Sequence, residues 1–441
     1  MQYRFHIAVH IKMSVTGKSS IWRILFLTII YFFYFYGFRI PGLPPSLSYY
    51  RLAAVLLFLY TCVASNKAAG FGNTQTSRMV KKYLWWNVFL LIYVGFILLT
   101  FGPGNGLSAL PSYVNMLFIL PLFFISGKYV FRNIEELMTI LYIGCIIQAV
   151  IIIFATFIPS LETALKYIYI GTVEDVDRLE TTERMIMSGY HMGFQCFTSQ
   201  GSLKMAIGGI GACYFLMKST GRKFLMHLML FVLITFATSL LSRTGLFISI
   251  SCLFIVFLNR QKQGSKRFAT SFFIVLVVFL IGSFIVDNFT SNKYLNENFG
   301  RMSTLFSNGI MDTYFNEWMG EGEGGNVVPP ISSYTLWGLG IRKGISGAGI
   351  ETTVDGGFLI NYSSMGLIMA IINYLIVFSF YSKQYHFTKN SVFKSLVIIL
   401  FIILIMGEIK EHFIYQLHYM CIMFVTFYLM EKEENRSIIC Q

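Results

Sequence analysis

The chain predicts an all-α polytopic membrane protein with about 12 transmembrane helices and two large loops on one side. Three observations predict that class. Of 441 residues, 55% are hydrophobic and 12% are charged, and mean hydropathy is +0.64; a water-soluble chain of this length needs far more polar surface. A dozen apolar runs divide the sequence. Lys and Arg gather in alternate gaps between those runs, which is how short cytoplasmic loops are marked.

In order, the predicted spans are 24–38, 52–65, 83–101, 113–126, 137–158, 204–217, 224–241, 245–259, 268–288, 357–381, 395–407 and 413–430. Several fall short of the ~20 residues a perpendicular helix needs, so their ends are soft. With the N-terminus placed in the cytoplasm, the inward segments hold Arg4, Lys12, Lys18 and Arg23, then Lys67, Arg78, Lys81 and Lys82, then Lys128 and Arg132. Further along they hold Lys218, Arg222 and Lys223, then Arg260, Lys262, Lys266 and Arg267, then Lys383, Lys389 and Lys394, and finally Lys432 and Arg436. That is 22 of the 34 cations. Moving one span would invert every later gap, so the agreement supports the whole assignment. It makes residues 1–441 a single integral membrane domain with both termini cytoplasmic.

Charge and cysteine usage exclude other classes. The net charge of +13 is spread over many short loops rather than gathered into a patch, so nucleic acid is not an expected partner. Cys62, Cys145, Cys213, Cys252 and Cys421 lie in apolar runs as small core residues, and only Cys196 lies in a long outward loop, so no disulfide framework is expected. The first apolar run follows a basic head without a small-residue cleavage site, so no cleavable signal is expected.

The two long gaps, 159–203 and 289–356, both face outward, and loops of that length usually carry function or are disordered. The first holds Arg178, Arg184, Gly189, His191, Gly193 and Gly201. Cations followed by Gly-rich backbone can form an anion-binding concavity, or Glu180, Glu183 and Arg184 can share a solvated helix face. Asp175-Val176-Asp177 spells a short acidic pair, but hard-cation sites need more oxygen ligands than this. No metal site and no cofactor are expected, since no His, Cys and carboxylate set has zinc spacing. The second gap is Gly-rich near its end, without the strand–turn–helix context of a nucleotide loop. It closes on Asp355-Gly356-Gly357-Phe358-Leu359. Asp355 either caps a helix or offers a carboxylate to a sugar hydroxyl in an outward cavity.

Two short outward turns complete the candidates. Ser242-Arg243-Thr244-Gly245 joins two apolar runs with almost no spacer. Arg243 there is placed either to hold two oxygens of a lipid-linked pyrophosphate or to snorkel among headgroups. Glu408, Lys410, Glu411 and His412 share the other turn; Glu408 and Lys410 either neutralise one another or serve an outward site. His227 and His418 lie alone in apolar runs and read as core histidines.

Taken together, Arg plus Gly in the first outward loop, Ser-Arg-Thr at a tight helical turn, and Asp355-Gly356-Gly357-Phe358-Leu359 followed by Tyr362-Ser363-Ser364-Met365-Gly366 form a recognisable layout. It resembles the Wzy-type O-antigen and capsular repeat-unit polymerases of the bacterial inner membrane. It is also similar to the O-antigen ligases, which typically carry His-Asn where this chain has Asp355-Gly356. The resemblance implies a fold akin to the C-type membrane glycosyltransferases and a substrate of undecaprenyl-pyrophosphate oligosaccharide. It also implies membrane lipids and a chain-length regulator protein as partners. By position it assigns Arg184, Arg243 and Arg301 to the pyrophosphates, with Arg178 and Lys410 as further cations. Asp355, Glu408 and His191 become the candidate proton-handling groups. A ligase acting on the lipid A core, and a polysaccharide flippase or exporter, are the competing functions; the long outward loops and the lack of internal repeats count against the exporter.

Overall fold

The computed structural model describes residues 21–36, 49–64, 71–102, 104–158, 160–161, 164–165, 198–262, 327–353 and 356–439. The helices are α1 (Ile21–Tyr36), α2 (Tyr49–Ala64), α3 (Gln75–Phe101), α4 (Leu110–Val130), α5 (Ile134–Phe157), α6 (Thr198–Lys218), α7 (Gly221–Leu241) and α8 (Arg243–Lys262). After them come α9 (Ser333–Trp337), α10 (Gly357–Met365), α11 (Leu367–Phe387), α12 (Ser391–Lys410), a 3-10 turn (Phe413–Tyr415) and α13 (Leu417–Ile439). A small antiparallel sheet orders β1 (Leu107–Ser108), β2 (Ile341–Ile345) and β3 (Glu351–Thr352). Among the described residues, seven helices are long and apolar enough to cross a membrane: Gln75–Phe101, Leu110–Val130, Ile134–Thr156, Gly221–Leu241, Thr244–Gln261, Leu367–Phe387 and Ser391–Lys410.

These helices are apolar all round because they face two apolar surroundings. On α3, Tyr83, Leu90, Val94 and Ile97 are buried, while Phe89, Ile92, Phe96 and Leu99 stand exposed on the other side, Leu99 at 87%. An exposed apolar stripe of that length belongs in lipid. At the centre runs α13, where every residue from Tyr419 to Phe427 is buried. Aromatic rings fill the gaps around α1 and α4, with Tyr34 and Phe123 centroids 4.4 Å apart and Tyr31 and Phe123 5.4 Å apart.

One end of the bundle is tied by carboxylates on α13. Glu431 accepts from the Gln75 N–H at 2.7 Å, the Thr76 N–H at 2.9 Å and the Thr76 hydroxyl at 2.8 Å. Glu433 accepts from the Ile134 N–H at 3.1 Å. Glu434 accepts from the Lys389 and Asn390 N–H groups at 3.1 and 2.8 Å. The starts of α3, α5 and α12 thus each receive an acid, where orphan N–H groups and the helix dipole favour negative charge. At the same end, Glu136 pairs with Arg23 at 3.1 Å, and Asn133 caps α5 by accepting from the Glu136 N–H at 2.8 Å. This end collects the gaps around residues 75, 133, 219, 260, 389 and 432, all of which the charge pattern assigns to one side.

The opposite end collects the other gaps. Here β1, from the α3–α4 connection, pairs with β2, from the second long loop. The β2–β3 strands and α9 give part of the region 289–356 regular structure. The predicted span 357–381 is two helices. It breaks at Gly366, whose φ of 84° is a left-handed conformation that favours glycine. Gly338 and Gly366 lie backbone to backbone, so a Cβ on either would overlap the other segment. The carbonyls freed at the end of α10 are satisfied by the loop: Ser363 O accepts from Leu339 N–H at 2.7 Å and Ser364 O from Gly340 N–H at 2.9 Å. Irregular backbone at such depth is tolerated where protein covers it. Other bounds move as well: α3 begins at Gln75 behind the Thr74 cap, α6 begins at Thr198, inside the stretch assigned to the first loop, and the predicted span 413–430 becomes α13 from Leu417 to Ile439. The predicted span 268–288 lies outside the described residues.

Candidate functional site

At the end opposite the α13 carboxylates, five side chains form one hydrogen-bonded string. Arg342 of β2 places Nη2 3.0 Å from His412 Nδ1. His412 Nε2 lies 2.8 Å from Asn361 Oδ1 on α10. Asn361 Nδ2 donates to the Tyr374 hydroxyl of α11 at 2.5 Å. That hydroxyl donates to Glu408 Oε2 on α12 at 3.0 Å. The other Glu408 oxygen accepts from the Ile414 N–H in the 3-10 turn.

The donor and acceptor inventory fixes the direction of this string. A guanidinium only donates, so His412 Nδ1 is its acceptor and the ring proton sits on Nε2. Nε2–H then donates to Asn361, whose amide orientation is set, and each later group passes a donor to the next. The string runs from a cation at Arg342 to a carboxylate at Glu408, five groups drawn from five segments of chain. Burial, with the Arg342 guanidinium beside it, holds the His412 imidazole well below its ordinary value, so it stays neutral. A protonated ring would turn a second donor against Arg342.

Local sequence makes the string possible. Glu408 is fully buried, and Gly357 packs so closely on it that a Cβ would overlap its carboxylate. Asn361 and His412 are buried too, whereas Arg342 is half-buried and reaches the surface of this end. Beside it, the Tyr113 and Tyr415 rings meet edge to face at 5.0 Å, and both tyrosines lie within electrostatic reach of Arg342. Their buried hydroxyls make no hydrogen bond among the described residues.

Of the residues the sequence nominated, Glu408 joins this string at its inner terminus. It is sealed from solvent, and the geometry gives it the work of orienting Tyr374 and the 412–415 turn. Lys410 is the half-buried last residue of α12 and takes no part in the string. Arg243 is the first residue of α8, with Ser242 alone between it and the end of α7, so the tight reversal expected at Ser242 is present; its side chain lies outside what is described. Ser202 and Ser242 hydroxyls meet at 3.1 Å there, and Gly245 presses on Ser202 and Thr238, where a Cβ would not fit. Arg178, Arg184, His191, Arg301 and Asp355 lie outside the described residues.

The height of Arg243 follows from helix geometry. At the far end, Asn259 of α8 donates to Ser391 O at 2.9 Å and to Ser395 Oγ at 2.8 Å on α12. At 1.5 Å per residue, Arg243 lies ~24 Å along α8 from that contact and Glu408 ~26 Å along α12 from Ser391. The two helices pack antiparallel, so both residues come to the same level of the bundle.

Sequence reasoning passed over Arg342, Asn361 and Tyr374, and placed His412 in its turn without a role. The only local signals were a cation beside a Gly-rich stretch at Arg342 and a polar side chain inside an apolar run at Asn361. Compared with protein-family models and with curated proteins, the chain matches none of them.

Proposed function

We propose that this protein is a polymerase of lipid-linked oligosaccharide repeat units, acting at the extracytoplasmic face of the bacterial inner membrane. The observation that carries the reading is the directional string from Arg342 to Glu408. It holds a guanidinium in one orientation at the end of the bundle that the charge pattern assigns to the outside, at the level of Arg243. Fixed cations in a water-poor setting are what a departing pyrophosphate requires, and a guanidinium grips two oxygens at once.

In the proposed reaction, the bond between the anomeric carbon and the pyrophosphate oxygen of undecaprenyl-pyrophosphate oligosaccharide breaks. The polyprenyl pyrophosphate leaves with the bonding pair. A hydroxyl oxygen of the incoming lipid-linked unit bonds to that carbon, and its proton passes to a carboxylate, the role given to Asp355. The sugar–pyrophosphate bond is already activated, so no nucleotide is needed. Arg342, Arg243, Arg184 and Arg301 hold the diphosphates. Glu408 acts as a positioning residue through Tyr374, and a chain-length regulator is the expected protein partner.

The test is the surface-polymer pattern of cells carrying Arg342→Ala or Arg243→Ala. Each variant inserts at wild-type level and leaves lipid A bearing a single repeat unit. Loss of every unit, single ones included, points instead to a ligase, and an unchanged ladder with both variants removes the pyrophosphate site.

A further inference from the structure

At the end of the bundle opposite the string, α3 and α11 enclose a hollow of about 870 Å³, within the size range of ligand cavities. Arg78 and Lys82 enter it from the first turns of α3, and Lys383 and His386 from the last turns of α11. Arg78 and Lys82, four residues apart, stack like charges on one helix face and repel, and Lys383 faces them from α11. None of the four has an ion-pair partner among the described residues. The acid at the rim, Glu431, has both oxygens committed to the start of α3. Farther along the same two helices, Trp85, Phe89, Ile371 and Leu375 are exposed, Trp85 at 74% and Leu375 at 63%. Those apolar residues mark where acyl chains lie.

From this juxtaposition we infer that the hollow is a binding site for the phosphate headgroup of an anionic glycerophospholipid of the cytoplasmic leaflet. The phosphate oxygens accept from Arg78, Lys82 and Lys383, while the acyl chains descend along the exposed apolar stripes of α3 and α11. A soluble phosphate would satisfy the cations alone; the adjoining lipid-facing surface favours the lipid. The site is independent of the outer string and of the polymerase reading.

The experiment uses the full chain in mixed micelles of phosphatidylglycerol and phosphatidylcholine, with bound lipid counted by native mass spectrometry. Wild type retains phosphatidylglycerol preferentially. A Lys82→Gln and Lys383→Gln double variant loses roughly 30-fold of that preference, at about 1 kcal/mol per juxtamembrane cation. Arg222→Gln with Lys223→Gln, which removes two exposed cations of α7 at the same end, leaves the preference in place. The proposal is overturned if the first double variant keeps the preference, or if the second loses as much. It is likewise overturned if millimolar inorganic phosphate displaces phosphatidylglycerol completely. All four residues are exposed, and an unchanged unfolding midpoint in phosphatidylcholine shows that the variants are folded.

Discussion

The two ends of the bundle use buried carboxylates in opposite ways. At the end that carries the α13 acids, Glu431, Glu433 and Glu434 accept from backbone N–H groups at the starts of three other helices, and Glu431 accepts from the Thr76 hydroxyl as well. All but the Thr76 hydroxyl are main-chain amides, which almost any residue at those helix starts presents. At the opposite end, Glu408 terminates a string of specific side chains that ends on a half-buried cation. Nothing in helix geometry demands Asn361, Tyr374 and His412 in that order. The difference teaches where to look for function: in the acid whose partners are side chains chosen one by one.

The comparison breaks or sharpens in four ways. The largest effect is expected on crossing the two ends. Arg342→Ala lowers polymer formation by about 10²–10³-fold, the scale for losing one preorganised electrostatic group, with membrane levels unchanged. Glu431→Ala does the reverse: it strands three hydrogen bonds at the start of α3 and costs about 2–4 kcal/mol of stability, read as a lower unfolding midpoint in detergent. Activity per folded molecule is retained. If Glu431→Ala removes activity at full stability, the division between the ends is wrong.

Next is Gly357→Ala, whose methyl group has no space beside the Glu408 carboxylate. Displacing either α10 or α12 costs about 1–3 kcal/mol and pulls Asn361 from the string, so stability and activity fall together. A fully active, fully stable alanine variant would show that the string is not needed.

Third is pH. His412 is held neutral with its value depressed, so at mild acidity the unfolded chain binds a proton that the native chain does not. The stability that His412 contributes is therefore complete above the ordinary histidine value of about 6.5 and is lost below it, at no more than about 1.4 kcal/mol per pH unit. Thermal unfolding from pH 7.5 to 5 is compared between wild type and His412→Gln, and the difference between the two slopes is this contribution. The smallest effect is at the Lys218–Glu135 pair, 3.1 Å apart with both side chains about half exposed. Lys218→Gln changes stability by less than about 1 kcal/mol and leaves polymer untouched.

Much of the fold was legible because lipid imposes simple rules. The alternation of cations predicted which gaps lie together, and contacts such as β1 with β2 and Glu434 with Asn390 join gaps assigned to the same end. The break at Gly366 was not legible, because the apolar run continues through it and the missing helical bonds are supplied by Leu339 and Gly340 from a distant loop. The site was half legible. Glu408 stood out as an acid at the edge of an apolar run. Arg342 did not, being one cation among several in a long loop, and its meaning arises only when β2 brings it to His412. Tyr374 and Asn361 look like ordinary interior residues until their partners are known.

The clamp formed by α13 also bears on biogenesis. The ribosome makes α3, α5 and α12 before the segment that carries Glu431, Glu433 and Glu434. Those three helices enter the bilayer with their leading amides open to water, and they are fastened together only when the last helix threads between them. The α13 contacts to all three starts can therefore form only once every one of those helices has been made.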